Sequence, residues 1–132
     1  MPANYTFTTG LSGDNGVHVF SATLKTAGSR SLTVTATTGS ITGSQTGITV
    51  NAAAASVLAV AGFSSPTTAG TAGNFTVMAK DAFGNTTSAY TGTVAFTSSD
   101  AQAVLPADYT FTATDSGQHT FSATLKTPAA NR

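Results

Sequence analysis

Two stretches of this chain occur twice. Pro2-Ala3-Asn4-Tyr5-Thr6-Phe7-Thr8 returns as Pro106-Ala107-Asp108-Tyr109-Thr110-Phe111-Thr112, and Phe20-Ser21-Ala22-Thr23-Leu24-Lys25-Thr26 returns unchanged as Phe121-Ser122-Ala123-Thr124-Leu125-Lys126-Thr127. The first pair is offset by 104 positions and the second by 101, so three residues have been gained or lost in the turn between them. A length change inside a turn, with both flanks intact, is what a hairpin tolerates. A period near 100 residues is the size of a two-sheet β-sandwich. With 132 residues the chain holds one period and roughly 27 residues of the next.

Composition supports strands throughout. The chain has 27 Thr, 14 Ser, 23 Ala and 13 Gly, together more than half of it. Thr and Gly are poor helix formers and suit strands and tight turns. Phe75, Val77 and Ala79 alternate with Thr76, Met78 and Lys80, and the turn Asp81-Ala82-Phe83-Gly84-Asn85 follows. Tyr90, Val94 and Phe96 share a parity in the next run, which stops at Ser98-Ser99-Asp100. Tyr109-Thr110-Phe111 precedes a turn at Asp115-Ser116-Gly117, after which His119, Phe121, Ala123 and Leu125 alternate with polar neighbours. Upstream, Leu32, Val34 and Ala36 alternate with Thr33, Thr35 and Thr37, and Ile48 and Val50 close the first unit. The tract 51–56, Asn-Ala-Ala-Ala-Ala-Ser, is too short for a stable helix in water and reads as an extended connector. No helix longer than a turn or two is expected.

Charge is sparse and balanced: five Lys plus Arg against five Asp, with no Glu. With no basic stripe, nucleic acid is excluded as an expected partner. No apolar run approaches the roughly 20 residues that span a bilayer, so membrane insertion is not expected. Met1 is not followed by a basic and then apolar signal stretch. There is no cysteine, which removes disulfides and Cys-based zinc sites. A Thr-rich, Lys-poor, Glu-free chain fits an extracellular β-repeat, secreted or at a bacterial cell surface.

The residue types that carry chemistry give little. His18 and His119 are one position in two copies, in line with Phe20 and Phe121, and read as partly buried histidines at a strand start. Asp81, Asn85, Asp100 and Asp115 carry the oxygens that Ca²⁺ prefers, but Asp-x-x-Gly-Asn is equally a plain turn signal. Lys25, Lys80 and Lys126 raise a Lys to Asn isopeptide bond, which needs a buried acid that these outward positions lack. The Thr-x-Thr ladders at 33–37 and 6–8 resemble ice-binding surfaces, yet solvent-facing Thr is also what an uncharged strand uses. Asn4, Asn74 and Asn85 begin glycosylation sequons, a motif frequent by chance in a Thr-rich chain. No Ser-His-Asp spacing, phosphate loop or close carboxylate pair is present. Neither catalysis nor a cofactor is expected.

Ala69-Gly70-Thr71, Phe75-Thr76-Val77, Lys80-Asp81-Ala82-Phe83-Gly84-Asn85, Tyr90-Thr91-Gly92-Thr93-Val94, Phe96-Thr97-Ser98-Ser99-Asp100, Leu105-Pro106-Ala107-Asp108-Tyr109 and His119-Thr120-Phe121 follow one another in that order. In this combination the chain resembles the bacterial Ig-like, filamin-type tandem repeats of large secreted and surface proteins. The resemblance implies an all-β, immunoglobulin-like antiparallel β-sandwich with strands A to G, serving as a spacer or adhesive module. Aligned on strand D, the chain reads as two incomplete repeats: residues 1–50 supply D to G, 51–55 connect, and 56–132 supply A to E. Where F would begin in the second unit stands Pro128-Ala129-Ala130-Asn131-Arg132. A sandwich missing two adjacent strands exposes apolar core and a bare edge that templates pairing with another chain.

Three arrangements follow from that frame. A chain could close on itself, donate its F and G strands to a neighbour, or be a window on a longer array. Self-closure is disfavoured, because the ends to be joined lie about 35 Å apart across a sandwich and six connector residues reach about 20 Å. Donation is heterologous and builds a filament or a ring. The expected function is therefore a non-catalytic extracellular building block whose partner is itself, assembling head to tail. Leu32, Val34, Ala36, Ile48 and Val50 form the donor face, and Tyr90, Val94, Phe96, Phe75, Val77, Phe111 and Phe121 the recipient. Nine strands are available where seven suffice, and the near-identical D-E hairpins invite domain swapping. The alternative is a spacer or ligand-binding module of an adhesin that meets a glycan or other surface ligand through its loops.

Overall fold

The computed structural model describes residues 1–129. It is all-β, with antiparallel pairing throughout. Strands β1 (Gly28–Thr35) and β2 (Thr42–Val50) form a hairpin. Strands β3 (Val57–Ala61), β4 (Ala72–Lys80) and β7 (Gln118–Thr124) form a sheet in the order β3-β4-β7. Strands β5 (Thr93–Val94) and β6 (Tyr109–Thr110) form a two-residue ladder. A 3₁₀ turn occupies Ala113–Asp115.

β4 organises the packing because its apolar alternation survives intact. Phe75, Val77 and Ala79 are buried, while the intervening Thr76, Met78 and Lys80 are half-buried on the other face. Val60 lies opposite Val77 on one flank, and Phe121 opposite Phe75 on the other. The core closes when the β5-β6 layer brings Val94 and Phe111 onto Phe75, Val77, Phe121 and Ala123, with Tyr90, Phe96, Leu105 and Tyr109 at its margins. Tyr90 and Tyr109 meet the Phe111 ring edge-on at 5.2 and 5.6 Å, the arrangement that aromatic quadrupoles favour.

Two stretches differ from the sequence expectation. In the 90–96 run only Thr93–Val94 joins a ladder, and no described strand pairs with the other edge of β5. Residues 1–27, read as a D-E hairpin, form no ladder at all, although a turn occupies 10–16. The aromatic face of this stretch has no sheet beneath it, with Tyr5, Phe7 and Phe20 41%, 52% and 45% exposed. Of the Pro128-to-Arg132 stretch, residues 130–132 lie outside the described residues.

The hairpin β1-β2 is amphipathic. Arg30, Leu32 and Val34 share a face with Ile48 and Val50, while Thr33 and Thr35 meet Ser44 and Thr42 through hydroxyl pairs on the opposite face. A bulge between Arg30 and Leu32 keeps these apolar residues in phase. The extra residue is accommodated at Gly47, whose φ of 69° is one that glycine adopts at no steric cost.

The turn 81–87 ties the two parts of the chain together. Asp81 accepts the amides of Phe83, Asn85 and Ala53, and the Thr87 hydroxyl donates to the Ala53 carbonyl at 3.0 Å. Asn85 accepts the Ala27 amide at 2.9 Å and donates to the Lys25 carbonyl at 2.7 Å. Both roots of the hairpin are thus pinned to one turn, and the hairpin leaves the unit there.

Candidate assembly surface

Beside the core runs an apolar groove of about 570 Å³. One wall is the end of β3 with Phe63, the other is Ala95 to Ser98 just past β5, and Phe75 and Ala123 form the floor. The edge of β3 away from β4 and the edge of β5 away from β6 both lack a ladder partner among the described residues. The groove therefore runs between the end of β3 and the segment that continues β5, and each of those strands offers an unpaired row of backbone donors and acceptors.

The sequence-derived recipient residues divide between this groove and the closed core. Phe75 and Phe96 line the groove; Val94 and Phe111 are buried beside it in the core; Val77 and Phe121 are on the core faces of β4 and β7; Tyr90 sits half-buried at the margin. The donor residues are all on β1-β2 or its loop. Leu32, Ile48 and Val50 are half-buried, Val34 is 69% exposed, and Ala36 is exposed past the strand end. Arg30 shares that face, but its guanidinium bends back to the Thr26 and Ala27 carbonyls at 3.1 and 2.6 Å.

A third surface is aromatic and belongs to residues 1–24. Tyr5 stacks on His18 at 4.0 Å and meets Phe7 and Phe20 edge-on, and nothing covers this cluster. Asp14 holds it together, taking the Thr8 amide at 2.8 Å, the Tyr5 hydroxyl at 2.9 Å and His18 Nδ1 at 2.5 Å. The Thr8 amide is the strongest influence on that carboxyl, whose pKa is lowered to about 2. The same constellation recurs around Asp115, with Thr112, Tyr109 and His119. There the Thr112 amide, then His119, lowers the Asp115 pKa to about 2, and Asp115 raises the Tyr109 hydroxyl after burial has done so.

The anchoring role of Asp14 and Asp115 is not evident from residue type alone. The signal was available: Asp14-to-His18 and Asp115-to-His119 keep one spacing while the loop before them changes length. The His18 and His119 side chains are 32% and 34% exposed, so both imidazoles are partly buried, as expected.

The calcium candidates are not brought together. Asp81 and Asn85 share a turn at the Lys80 end of β4, where backbone amides and the Asn85 side chain occupy the Asp81 oxygens. Asp100 binds the amides of Lys126 and Thr127 at 2.6 and 2.9 Å, close to the Ala72 end of β4. Nine residues of strand separate the two sites, about 30 Å. No cluster of three acidic or histidine side chains suited to a metal occurs among the described residues. At Asp81 burial works against ionisation, but the Asn85 side chain and the amides of Ala53, Asn85 and Phe83 bring the pKa down to about 2. At Asp100 the Thr127 amide leads, holding the carboxyl far below its ordinary range. Both carboxylates act as anion anchors for loops.

Compared with protein-family models, curated proteins and solved structures, the chain matches none.

Proposed function

We propose that the chain is a non-catalytic structural module of the immunoglobulin-like, tandem-repeat kind, working outside a bacterial cell and assembling head to tail with copies of itself. In this reading β3, β4, β5, β6 and β7 are strands A to E of one sandwich, residues 56–132, and β1 and β2 are strands F and G, carried by residues 1–50. One observation supports it above all others. A single chain carries both a two-stranded hairpin with an exposed apolar face and an apolar groove between the end of β3 and the segment that continues β5, two strands that each have one unpaired edge.

The roots of the hairpin are pinned at the 81–87 turn, so it stands off its own groove and is presented to the groove of a second copy. Seating it there would pair β1 with the free edge of β5 and cover Leu32, Val34, Ile48 and Val50 together with Phe75 and Phe96. Strand addition of this type combines backbone hydrogen bonds with side-chain pockets. Donor and recipient are different surfaces, so the contact repeats rather than closing as a two-fold pair.

A second reading takes its support from the pinned connector: a joint that holds successive units in series suits a spacer or ligand-binding module of a larger adhesin. Light scattering with negative-stain microscopy of the purified protein separates the two. Filaments or rings are expected; a sharp monomer peak of 13.1 kDa at high concentration overturns self-assembly, and binding of that monomer on a glycan array supports the adhesin module.

A further inference from the structure

We propose that the hairpin arriving from a second copy brings its preceding segment with it, so that residues 4–24 of one chain replace residues 108–125 of another in the core. The inference rests on the reading that the groove seats β1-β2 of a second copy, and it fixes how much of the donor enters.

The two segments are built alike to within a few tenths of an ångström. Tyr5 stacks on His18 at 4.0 Å and Tyr109 on His119 at 4.2 Å. Tyr5 meets Phe20 edge-on at 5.4 Å, and Tyr109 meets Phe121 at 5.3 Å. Thr8 and Thr112 each donate an amide to the anchoring aspartate at 2.8 Å. What differs is cover. Phe111 is 1% and Phe121 8% exposed, whereas their counterparts Phe7 and Phe20 are 52% and 45% exposed. The first segment is a finished side-chain assembly with no sheet to lie on; the second is the same assembly lying on β4.

Connectivity makes the two segments compete for one seat. β1 begins at Gly28, two residues after Thr26, and the position matching Thr26 in the second segment is Thr127, tethered with Lys126 to Asp100. A β1 strand laid along the free edge of β5 as the continuation of such a segment starts where the acceptor's own residues 126–128 lie. Its preceding residues then follow the path of the acceptor's 118–127, and both cannot be there. Exchange is close to even for this segment, because Phe20 stands in for Phe121, Phe7 for Phe111, Ala22 for Ala123 and the Asp14–His18 pair for Asp115–His119. The gain is β1-β2 in the groove, delivered on the same chain. Residues 28–50 alone offer the roughly 20–30 residues a side of a standard interface, and 4–50 about double that. The displaced segment loses the cover that the incoming one gains, so the exposed apolar surface is much the same before and after.

Cysteine trapping tests this directly, since the chain has no cysteine. Thr76 lies opposite Thr120 with hydroxyl oxygens 3.1 Å apart, and the counterpart of Thr120 in the first segment is Val19. The double variant V19C/T76C, assembled and mildly oxidised, is expected to give a ladder of disulfide-linked oligomers on a non-reducing gel. Peptide mapping should assign the bond to positions 19 and 76 of different chains. T76C/T120C, oxidised as a dilute monomer, should instead close within one chain and calibrate the geometry. S21C/N74C repeats the test one position along, because Ser122, the counterpart of Ser21, lies opposite Asn74. Bonds only between like positions, or only within one chain, overturn the exchange; if particles persist in the microscope while the mixed bond is missing, hairpin seating survives without it. Absence of particles and of the mixed bond together removes both.

Discussion

Replacing Phe111 by alanine deletes a ring that is almost wholly enclosed and flanked by Tyr90 and Tyr109, a loss of about 3–5 kcal/mol. The same substitution at Phe7, its copy in the first segment, removes a ring half in solvent and should change stability by no more than about 0.5 kcal/mol. Urea unfolding in dilute solution measures both, and equal effects would contradict the difference in cover. The aspartates carry a second expectation. Asp81 and Asp115, each with a pKa lowered to about 2, ionise in the fold well below the value near 3.9 of an unfolded chain. Their contribution is complete above about pH 4 and is lost as the pH falls towards 2. The thermal midpoint should therefore drop steeply between about pH 4 and 2, and Asp115→Asn should make that drop shallower. At this scale the sequence was only partly legible. The inward parity of Phe75, Val77 and Phe121 could be read from alternation, whereas the role of Asp115 depends on three donors that converge only after the turn has closed.

The hairpin β1-β2 behaves as an element with one committed face. Val34 touches little in the isolated chain, so Val34→Asp should leave the urea midpoint nearly unchanged while abolishing particles in negative stain. A loss of stability without loss of particles would place Val34 elsewhere in the assembly. The alternations behind β1, β4 and β7 were all visible in the sequence, because each strand carries its apolar residues on one face and register follows that pattern. Those of 5–8 and 17–24 were equally visible and yet form no ladder. The repeat is honoured in side-chain geometry and not in backbone pairing. In β5 only Thr93–Val94 is laddered to β6, although Tyr90, Val94 and Phe96 all pack on the core.

For the whole molecule, the scarcity of charge sets the response to salt. Among the hairpin and groove residues named above only Arg30 is ionisable, and it is folded back onto its own carbonyls. Screening at 1 M salt, where the Debye length is about 3 Å, has almost nothing to act on. Particle size by light scattering should therefore be insensitive to NaCl, and dissolution of the particles by salt would argue for an ionic contact. All-β character and antiparallel pairing were readable from composition and alternation; the uncovered groove was not, because it is defined by what the chain leaves unfilled. The order β3-β4-β7 has one more consequence, and it is mechanical. β3 starts opposite Lys80, and β7 ends opposite Ala72, so the chain enters and leaves this sheet at opposite poles. Tension applied along the chain slides both outer strands against β4 and loads every rung of the two ladders at once, in shear, instead of peeling them one at a time.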